Sequence, residues 1–432
     1  MFSGNSMVNR RSFLRTSGLA ASVALLSSCA RGSNSGGAAA PNTITSAGWD
    51  DKLTTLLSGP IAQAFHAKSG VALQAQAAVP FADYQTRFRT LLAGGSPPDV
   101  MRLNDDFLPE VSQKQLSKDL APYFTRTNVD TADYFPIFEW ARLPSGHRGL
   151  VIATQIRCIY YNKTMFEREG VPLPPTNWTP DGWTWDDFLE TAKALTKGDQ
   201  YGAAIVHDPG YEDMWARNNG GSGIFSDDGT RLALADPQGA EAIQFAADLT
   251  VKHHVQPQWG DLKPTDSSKR LFAAGKLAMM QHTSGTIGYY TQNVKDFEWD
   301  VAPVPARVNQ YQNGSVVLYI IPDKAANPDQ AWDYLNFAIG EEAGRMIAEA
   351  GLAVPVNKKA AQSLKSPGEY PKNIALLPQA AEHNKLLNFA NNSSAAISLY
   401  RPQLERVYAG EVTAQQVLTD MRPQVEAALA AS

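Results

Sequence analysis

Three pairs of adjacent carboxylates, Asp105-Asp106, Asp186-Asp187 and Asp227-Asp228, are the side chains best suited to acid–base work. Cleaving a glycosidic bond needs two carboxyl groups facing each other across the substrate. Sequence neighbours face each other on neither a strand nor a helix, so no pair is a dyad by itself. Asp186-Asp187 follow Trp185 at an expected helix start, where acids offset the helix dipole. Asp227-Asp228-Gly229 reads as a turn. The sequence contains no G-x-S-x-G, no H-E-x-x-H and no G-x-x-x-x-G-K-[ST]. Gly285 to Gly288 lacks the spacing of a dinucleotide fingerprint. Only His253 and His254 of seven histidines cluster, at the end of a helical pattern that favours a cation. Two cysteines, Cys29 and Cys158, exclude a disulfide framework and a Cys-rich zinc site. Cys158, inside an apolar strand, reads as inert core. No metal, no cofactor and no catalytic constellation is expected.

The elements that must position these residues alternate. Thr43 to Ala47 opens a strand, and Asp51 to Ser69 has helical spacing with Gly59-Pro60 in its middle. Val71 to Val79 reads as a strand, Phe81 to Ala93 as an amphipathic helix and Asp99 to Leu103 as a strand. This order favours a mostly parallel sheet flanked by helices. It recurs later: Tyr201 to Val206 and Leu277 to Gln281 are strand-like, and Pro237 to His253 and Asp329 to Ala350 are helical. Leu399 to Leu429 reads as two helices around Gly410 and Thr413. A length of 432 residues with 44% hydrophobic content suits two α/β lobes and excludes a disordered chain. A net charge of −5 argues against a nucleic-acid binder that works through a basic field.

Residues 1–28 read as an address. Arg10-Arg11 with Phe13-Leu14 and Arg15 resemble a twin-arginine export signal. Leu19 to Leu26 is too short an apolar run to span a bilayer. Leu25-Leu26-Ser27-Ser28-Cys29 resembles a lipoprotein box, with Cys29 the lipidation site. Cleavage there removes three arginines and no acid, taking the charge from −5 to −8. Residues 29–41 are small and polar, as a lipid-anchored flexible tether should be. The expected location is therefore the periplasm or cell surface, anchored to the membrane through Cys29.

Residues 159–196 carry Tyr161-Asn162-Lys163, Phe166, Gly170, Pro174-Pro175, and Trp185 with Phe188. This stretch resembles the extracellular solute-binding proteins of bacterial ABC importers, in the sugar-binding (maltose-binding-like) family. An insertion between Pro175 and Trp185 departs from the family's pattern. Further landmarks follow in order. They are Gly95-Ser96-Pro97-Pro98-Asp99-Val100, Asn218 to Gly221 with Asp227-Asp228-Gly229, and Leu271 to Met280. Ala302 to Pro305, Gly351 to Pro355 and Val407 to Leu418 complete the set. The resemblance covers nearly all of residues 43 to 420.

It implies an α/β, two-lobed periplasmic-binding-protein-like fold (type II) with a ligand cleft between the lobes. Lobe one would comprise residues 42–153 plus 306–351, and lobe two 154–305 plus 352–432. Hinges would lie near Ala153 to Ile156, Val301 to Pro305 and Ala350 to Val354. It also implies a ligand-binding set: Trp49, Asp50, Asn104, Asp105, Asp106, Gln155, Asp208, Tyr211, Thr283, Ser284, Asn313 and Gly314. Relatives often carry a Trp at the Thr283-Ser284 position. Its absence here shifts the expected stacking platform to Trp215 or Trp259. Arg157 is read as flanking its strand.

Planar hydrogen-bonding groups read sugar hydroxyls, and aromatic rings pack on the C–H face. The expected function is capture of a mono- or oligosaccharide by hinge closure and delivery to the permease subunits. The expected protein is a monomer and not an enzyme. The alternatives are a secreted glycosidase-like enzyme, or a binding protein for a polyol or glycerol-phosphate-type solute. A phosphorylated cargo would call for converging Arg or Lys. The candidate cleft residues are acidic or neutral, which favours an uncharged sugar.

Overall fold

The computed structural model describes residues 42–179, 182–206, 210–390 and 392–431. The export signal, Cys29, the tether and Asp208 lie outside the described residues.

Eleven strands are formed among the described residues: β1 (Thr43–Ala47), β2 (Ala72–Ala75), β3 (Val100–Leu103), β4 (Arg142–Leu143), β5 (Gly146–His147), β6 (Leu150–Thr154), β7 (Arg157–Asn162), β8 (Met279–Thr283), β9 (Trp299–Ala302), β10 (Val316–Ile320) and β11 (Val354–Pro355). The large sheet runs β11-β6-β10-β3-β1-β2. β1 pairs in parallel with β2 and β3, joined by helical crossovers as parallel strands require. The expected parallel order holds there. β10 and β11 break it, because they return from the far side of the molecule and pair antiparallel with their neighbours. Gly59 and Pro60 lie in a π-helical turn, Leu57–Ile61, which interrupts the regular ladder around the missing Pro N–H.

A second sheet, β8-β7-β9, is wholly antiparallel, with the buried β7 at its centre. Two residues, Gln155 and Ile156, carry the chain from the large sheet to the small one. Residues 303–315 carry it back. β7 ends where Asn162 Oδ1 accepts from Met165 N at 2.9 Å and so starts the helix Lys163–Glu169. The helix Trp185–Leu195 starts with a reciprocal cap between Thr184 and Asp187, which accounts for one of the carboxylate pairs.

Two expected elements differ. Tyr201 to Val206 is irregular, because Gly202 lies against Ala192 O and Ile205 N bonds the Gln256 side chain instead of a ladder partner. A Cβ on Gly202 would stand 1.9 Å from that oxygen. The helix expected over Asp329 to Ala350 is two, Pro328–Ile339 and Glu341–Glu349, divided at Gly340. The C-terminal pair, Ser393–Tyr408 and Ala414–Ala430, forms as expected and packs on Pro237–Val251. Cys158 is buried in β7, and burial pushes its thiol pKa well up.

Candidate functional site

A cavity of about 380 Å³ opens where the strand ends of the large sheet face the C-terminal helices and the start of β7. That volume falls within the range of small-molecule sites.

One wall belongs to the large sheet. Asn104, just past β3, accepts weakly from Asp106 N at 3.4 Å and starts the short 3-10 turn Asp105–Phe107. Asp105, Asp106 and Pro109 from this turn and the following helix line the cavity, with Trp140 beside them. Asp105 keeps part of its surface open. Its enclosure by protein, with the charge of Asp106 beside it, pushes its carboxyl up to about 7. Desolvation also raises Asp106, against the pull of Arg401 across the cavity.

The other wall carries guanidinium groups. Arg157 is the first residue of β7, and burial lowers its pKa to about 10 against the opposing charge of Glu212. Arg401 reaches in from the helix Ser393–Tyr408. A single buried carboxylate organises this wall. Glu212 Oε1 accepts from Arg401 Nε at 3.0 Å, and its Oε2 accepts from Gly210 N at 3.0 Å. Gly210 caps the helix Tyr211–Asn218 at φ +87°, a conformation that favours glycine. Burial opposes the charge on Arg401, but Glu212 outweighs it and the pKa rises. Asp213 also borders the cavity, held by Arg217 and by Ile224 N, each at 2.9 Å.

Asn313 lines the same cavity as the two guanidinium groups. Its Nδ2 donates to Gly210 O at 2.8 Å, which fixes the amide orientation because a carbonyl only accepts. Its Oδ1 has no partner among the described residues, although Asn313 is only 8% exposed. A buried acceptor in that state is poised for a donor from a ligand. Gln312 Oε1 accepts from both Arg157 N (3.1 Å) and Gly314 N (2.7 Å), tying this loop to the start of β7.

Of the expected residues, Asp105, Asp106 and Asn313 line the cavity. The others have different places. Trp49 packs edge-on to Phe81 and Tyr84 with Arg102 over its ring at 3.7 Å, away from the cavity. Asp50 borders a separate cavity of about 110 Å³. Asn104 serves as a cap. Tyr211 is buried and bonds Tyr408. Trp215 is core: it lies among Trp185, Phe188 and Phe245 and donates to Gln281 at 2.7 Å. Trp259 packs on Tyr408 at 5.0 Å, outside the cavity lining. Neither ring lines this cavity: Trp215 is buried in the core, and Trp259 is a partly buried ring packed against it.

Gln155, Thr283, Ser284 and Gly314 build the crossing between the sheets. Ser284 Oγ accepts from Ile156 N at 3.0 Å, and Thr283 pairs with Arg157. Gly314 does approach a backbone closely, but that backbone is Gln155 O, 1.7 Å from where a Cβ would stand.

The sequence reading missed Trp140, Arg401 and Phe389 and assigned Arg157 to a strand flank. Arg157 had a signal: a cation opening an otherwise apolar strand, directly after the crossing. Arg401 and Trp140 had none, since each sits in an ordinary local pattern and meets the site through tertiary structure. Among the described residues, no group of three or more His, Cys, Asp and Glu side chains is placed to hold a metal. No helix among them is long and apolar enough to cross a membrane.

The fold and the cleft define a solute-binding protein. The chain belongs to the bacterial extracellular solute-binding protein family, which it matches over residues 60–378. A Brucella abortus protein described as a binding protein is 27% identical over 228 residues, covering 50% of this chain and 52% of the relative. The chain thus spans about half the length of that relative. The erythritol/L-threitol-binding protein of Mycolicibacterium smegmatis is 24% identical over 315 residues, 65% of this chain and 63% of the relative.

Solved structures share the two-lobed fold. An ABC substrate-binding protein from Listeria monocytogenes in complex with cycloalternan superposes with TM-score 0.75 at 21% identity, covering 89% of this chain and 98% of the other. The cyclic alpha-maltosyl-1,6-maltose binding protein from Arthrobacter globiformis gives 0.74 at 18% identity, covering 90% and 99%.

Proposed function

We propose that the protein is the substrate-binding component of an ABC importer and captures an uncharged, polyhydroxylated solute, a short saccharide or polyol. The observation that carries this reading is the cavity's mixed array. Acceptors at Asp105, Asp106 and Asn313 Oδ1 face donors at Arg157 and Arg401, with the Trp140 ring beside them. A hydroxyl both donates and accepts, so a polyol satisfies both walls at once. An anionic cargo fits less well. Glu212 already offsets Arg401 and acts on Arg157, and Asp105 and Asp106 would repel a phosphate. The named ligands of the Listeria and Arthrobacter structures and of the Mycolicibacterium relative are saccharides and polyols, which supports the class.

A glycosidase is disfavoured by the same geometry. Asp105 and Asp106 share one short turn, and Asp213 is held by Arg217. Binding in this reading closes lobes 42–153 plus 306–351 and 154–305 plus 352–432 about the crossings. Val354 and Pro355 pair with Thr154 and Ala153 in the large sheet, which supports drawing lobe one to include Thr154 and to run to Pro355 at these crossings. The closed form then docks on permease subunits. Export and lipidation at Cys29 belong to the same reading, and labelling with an alkyne fatty acid, lost in Cys29→Ala, tests the anchor.

The test of function is a thermal-shift and calorimetric screen of the soluble chain against mono-, di- and trisaccharides and polyols. A ligand at one hundred times its Kd adds about 2.7 kcal/mol of stability. The expected result is saturable stabilisation by one family of ligands that remains unconsumed on long incubation. Consumption of the ligand would replace the reading with an enzyme. Silence across the panel from a folded chain, with a response to phosphorylated solutes, would replace the cargo class.

A further inference from the structure

The cleft does not end at the 380 Å³ cavity. A second cavity of about 550 Å³ adjoins it, bordered by Ser112, Gln115 and Ser145 on the large-sheet side and by Asp228 and Thr230 on the other. The residues common to both linings are Pro109, Phe389 and Ala390, which makes them the partition. Only Phe389 among these three carries a large side chain.

Its ring meets Trp140 at a centroid distance of 4.6 Å, so the partition is an aromatic contact spanning the cleft. That separation is direct ring contact and leaves no room for a ligand between the two rings. The segment bearing Phe389 is fixed from behind. Asn388 Nδ2 donates to Ser222 O, Phe225 O and Asp227 Oδ1 at 3.2, 3.1 and 3.0 Å. Gly229, at φ +71°, lies so close beneath that a Cβ there would stand 2.2 Å from Phe389 O. A side chain on a braced backbone, set across the continuation of a site, limits what passes it.

We propose that Phe389 is the length-selecting residue of this binding site: with Trp140 it closes the inner compartment behind a short polyhydroxylated cargo and bars a longer chain from the outer one. The outer compartment has the chemistry to take the excluded part. Hydroxyls at Ser112, Ser145 and Thr230, the Gln115 amide and the Asp228 carboxylate surround apolar Leu143 and Pro144. This is the same polar–apolar mixture that suits a sugar ring. The proposal rests on the carbohydrate or polyol reading above.

The test is a ladder of one saccharide series, from monosaccharide to tetrasaccharide, titrated calorimetrically into the wild-type chain, Phe389→Ala and Phe389→Trp. The wild type should lose affinity at the first member too long for the inner compartment. Phe389→Ala should recover about tenfold at that member relative to the shorter members of the series. Phe389→Trp thickens the partition without loosening the segment, so it should move the cut-off toward shorter members. Trp140 labelled with 5-fluorotryptophan, assigned through Trp140→Phe, should show a shifted ¹⁹F line in Phe389→Ala. A cut-off unchanged in both variants, with binding of short members intact, overturns the gate and leaves the functional reading standing. A folded wild type and folded variants that bind no member of several such series overturn the reading and the gate together.

Discussion

The two walls of the cleft hold their charges in opposite ways. On the guanidinium wall the counter-charge is buried and the backbone is part of the device. The Glu212 side chain is 3% exposed and bonds both Arg401 and Gly210 N, and Gln312 ties Arg157 to the loop of Asn313 and Gly314. On the carboxylate wall Asp105 and Asp106 rise from a three-residue turn, with Asp106 exposed and Asp105 half-buried. The first wall is preorganised: its donors lose little freedom when a ligand arrives. The second is soft and responsive to proton concentration. In the proposed function that division is useful, because one fixed wall would define the ligand's register while the other adapts to it.

The comparison breaks first on the rigid wall. Gly314→Ala drives a Cβ to 1.7 Å from Gln155 O at the crossing. It should lower the unfolding free energy by about 3 kcal/mol or more, read from urea denaturation. A loss below about 1 kcal/mol would show that the crossing yields and the wall is not rigid. Glu212→Gln comes next. It removes the carboxylate bonded to Arg401 and the largest opposing charge acting on Arg157, and should cost about 2–3 kcal/mol, less than a fully buried pair because Arg401 is 39% exposed. Ligand affinity should fall at least tenfold with it. A Glu212→Gln protein as stable and as tight-binding as wild type would erase the difference between the walls.

The lobe that carries the carboxylate wall has its own pH sensor in the core. His147 in β5 is 2% exposed, packs on Phe124 at 4.6 Å, and neither ring nitrogen has a partner among the described residues. Burial, with help from Arg142, pushes its pKa down to about 4. The sign follows from linkage: the unfolded chain takes up the proton near pH 6.5, the folded one only near 4. Stability is complete above about 6.5 and is lost progressively down to about 4, by about 3 kcal/mol at most. His282, lowered to about 3, adds a loss in the same direction. His147→Phe should flatten the part of the urea-midpoint profile between pH 4 and 6.5 that His147 owns. An unchanged slope would assign that acid sensitivity elsewhere.

What the sequence disclosed, and what it hid, follows the range of the interactions. β1, β3 and the helix Phe81–Ala93 were legible because spacing and Gly or Pro stops are local signals. Asp105 and Asp106 were legible because ligands gather where strands end, and β3 ends just before them. Asn313 entered through the family resemblance, at a loop beside the crossing. Arg401 was not legible: it lies in mid-helix and reaches the site through Glu212, 189 residues earlier. Phe389 and Trp140 are 249 positions apart and meet only in the folded cleft. Trp215 and Trp259 lie outside the cavity lining, because residue type alone does not tell a stacking platform from a ring packed in or against the core. The parallel-sheet expectation failed at β10 and β11 for a similar reason, since the direction of a returning strand depends on where the chain has been.

The smallest expected effect is the sharpest measure of the soft wall. Asp105 has a pKa near 7 in the folded chain against about 4 unfolded, so the folded state holds its proton longer. Stability from this group is therefore highest below about pH 4, falls as pH rises from 4 to 7, and is level above. Asp105→Asn removes that dependence and should stabilise the ligand-free protein at pH 8 by about 1 kcal/mol, after allowing for the carboxyl's open face. Ligand affinity at pH 8 should drop about tenfold in the same variant, because an amide presents one acceptor oxygen where the carboxylate presents two. Stability and binding thus move in opposite directions on this wall, whereas Glu212→Gln lowers both on the other. If Asp105→Asn instead loses stability at pH 8, the carboxylate is part of a fixed network, and the two walls are built alike.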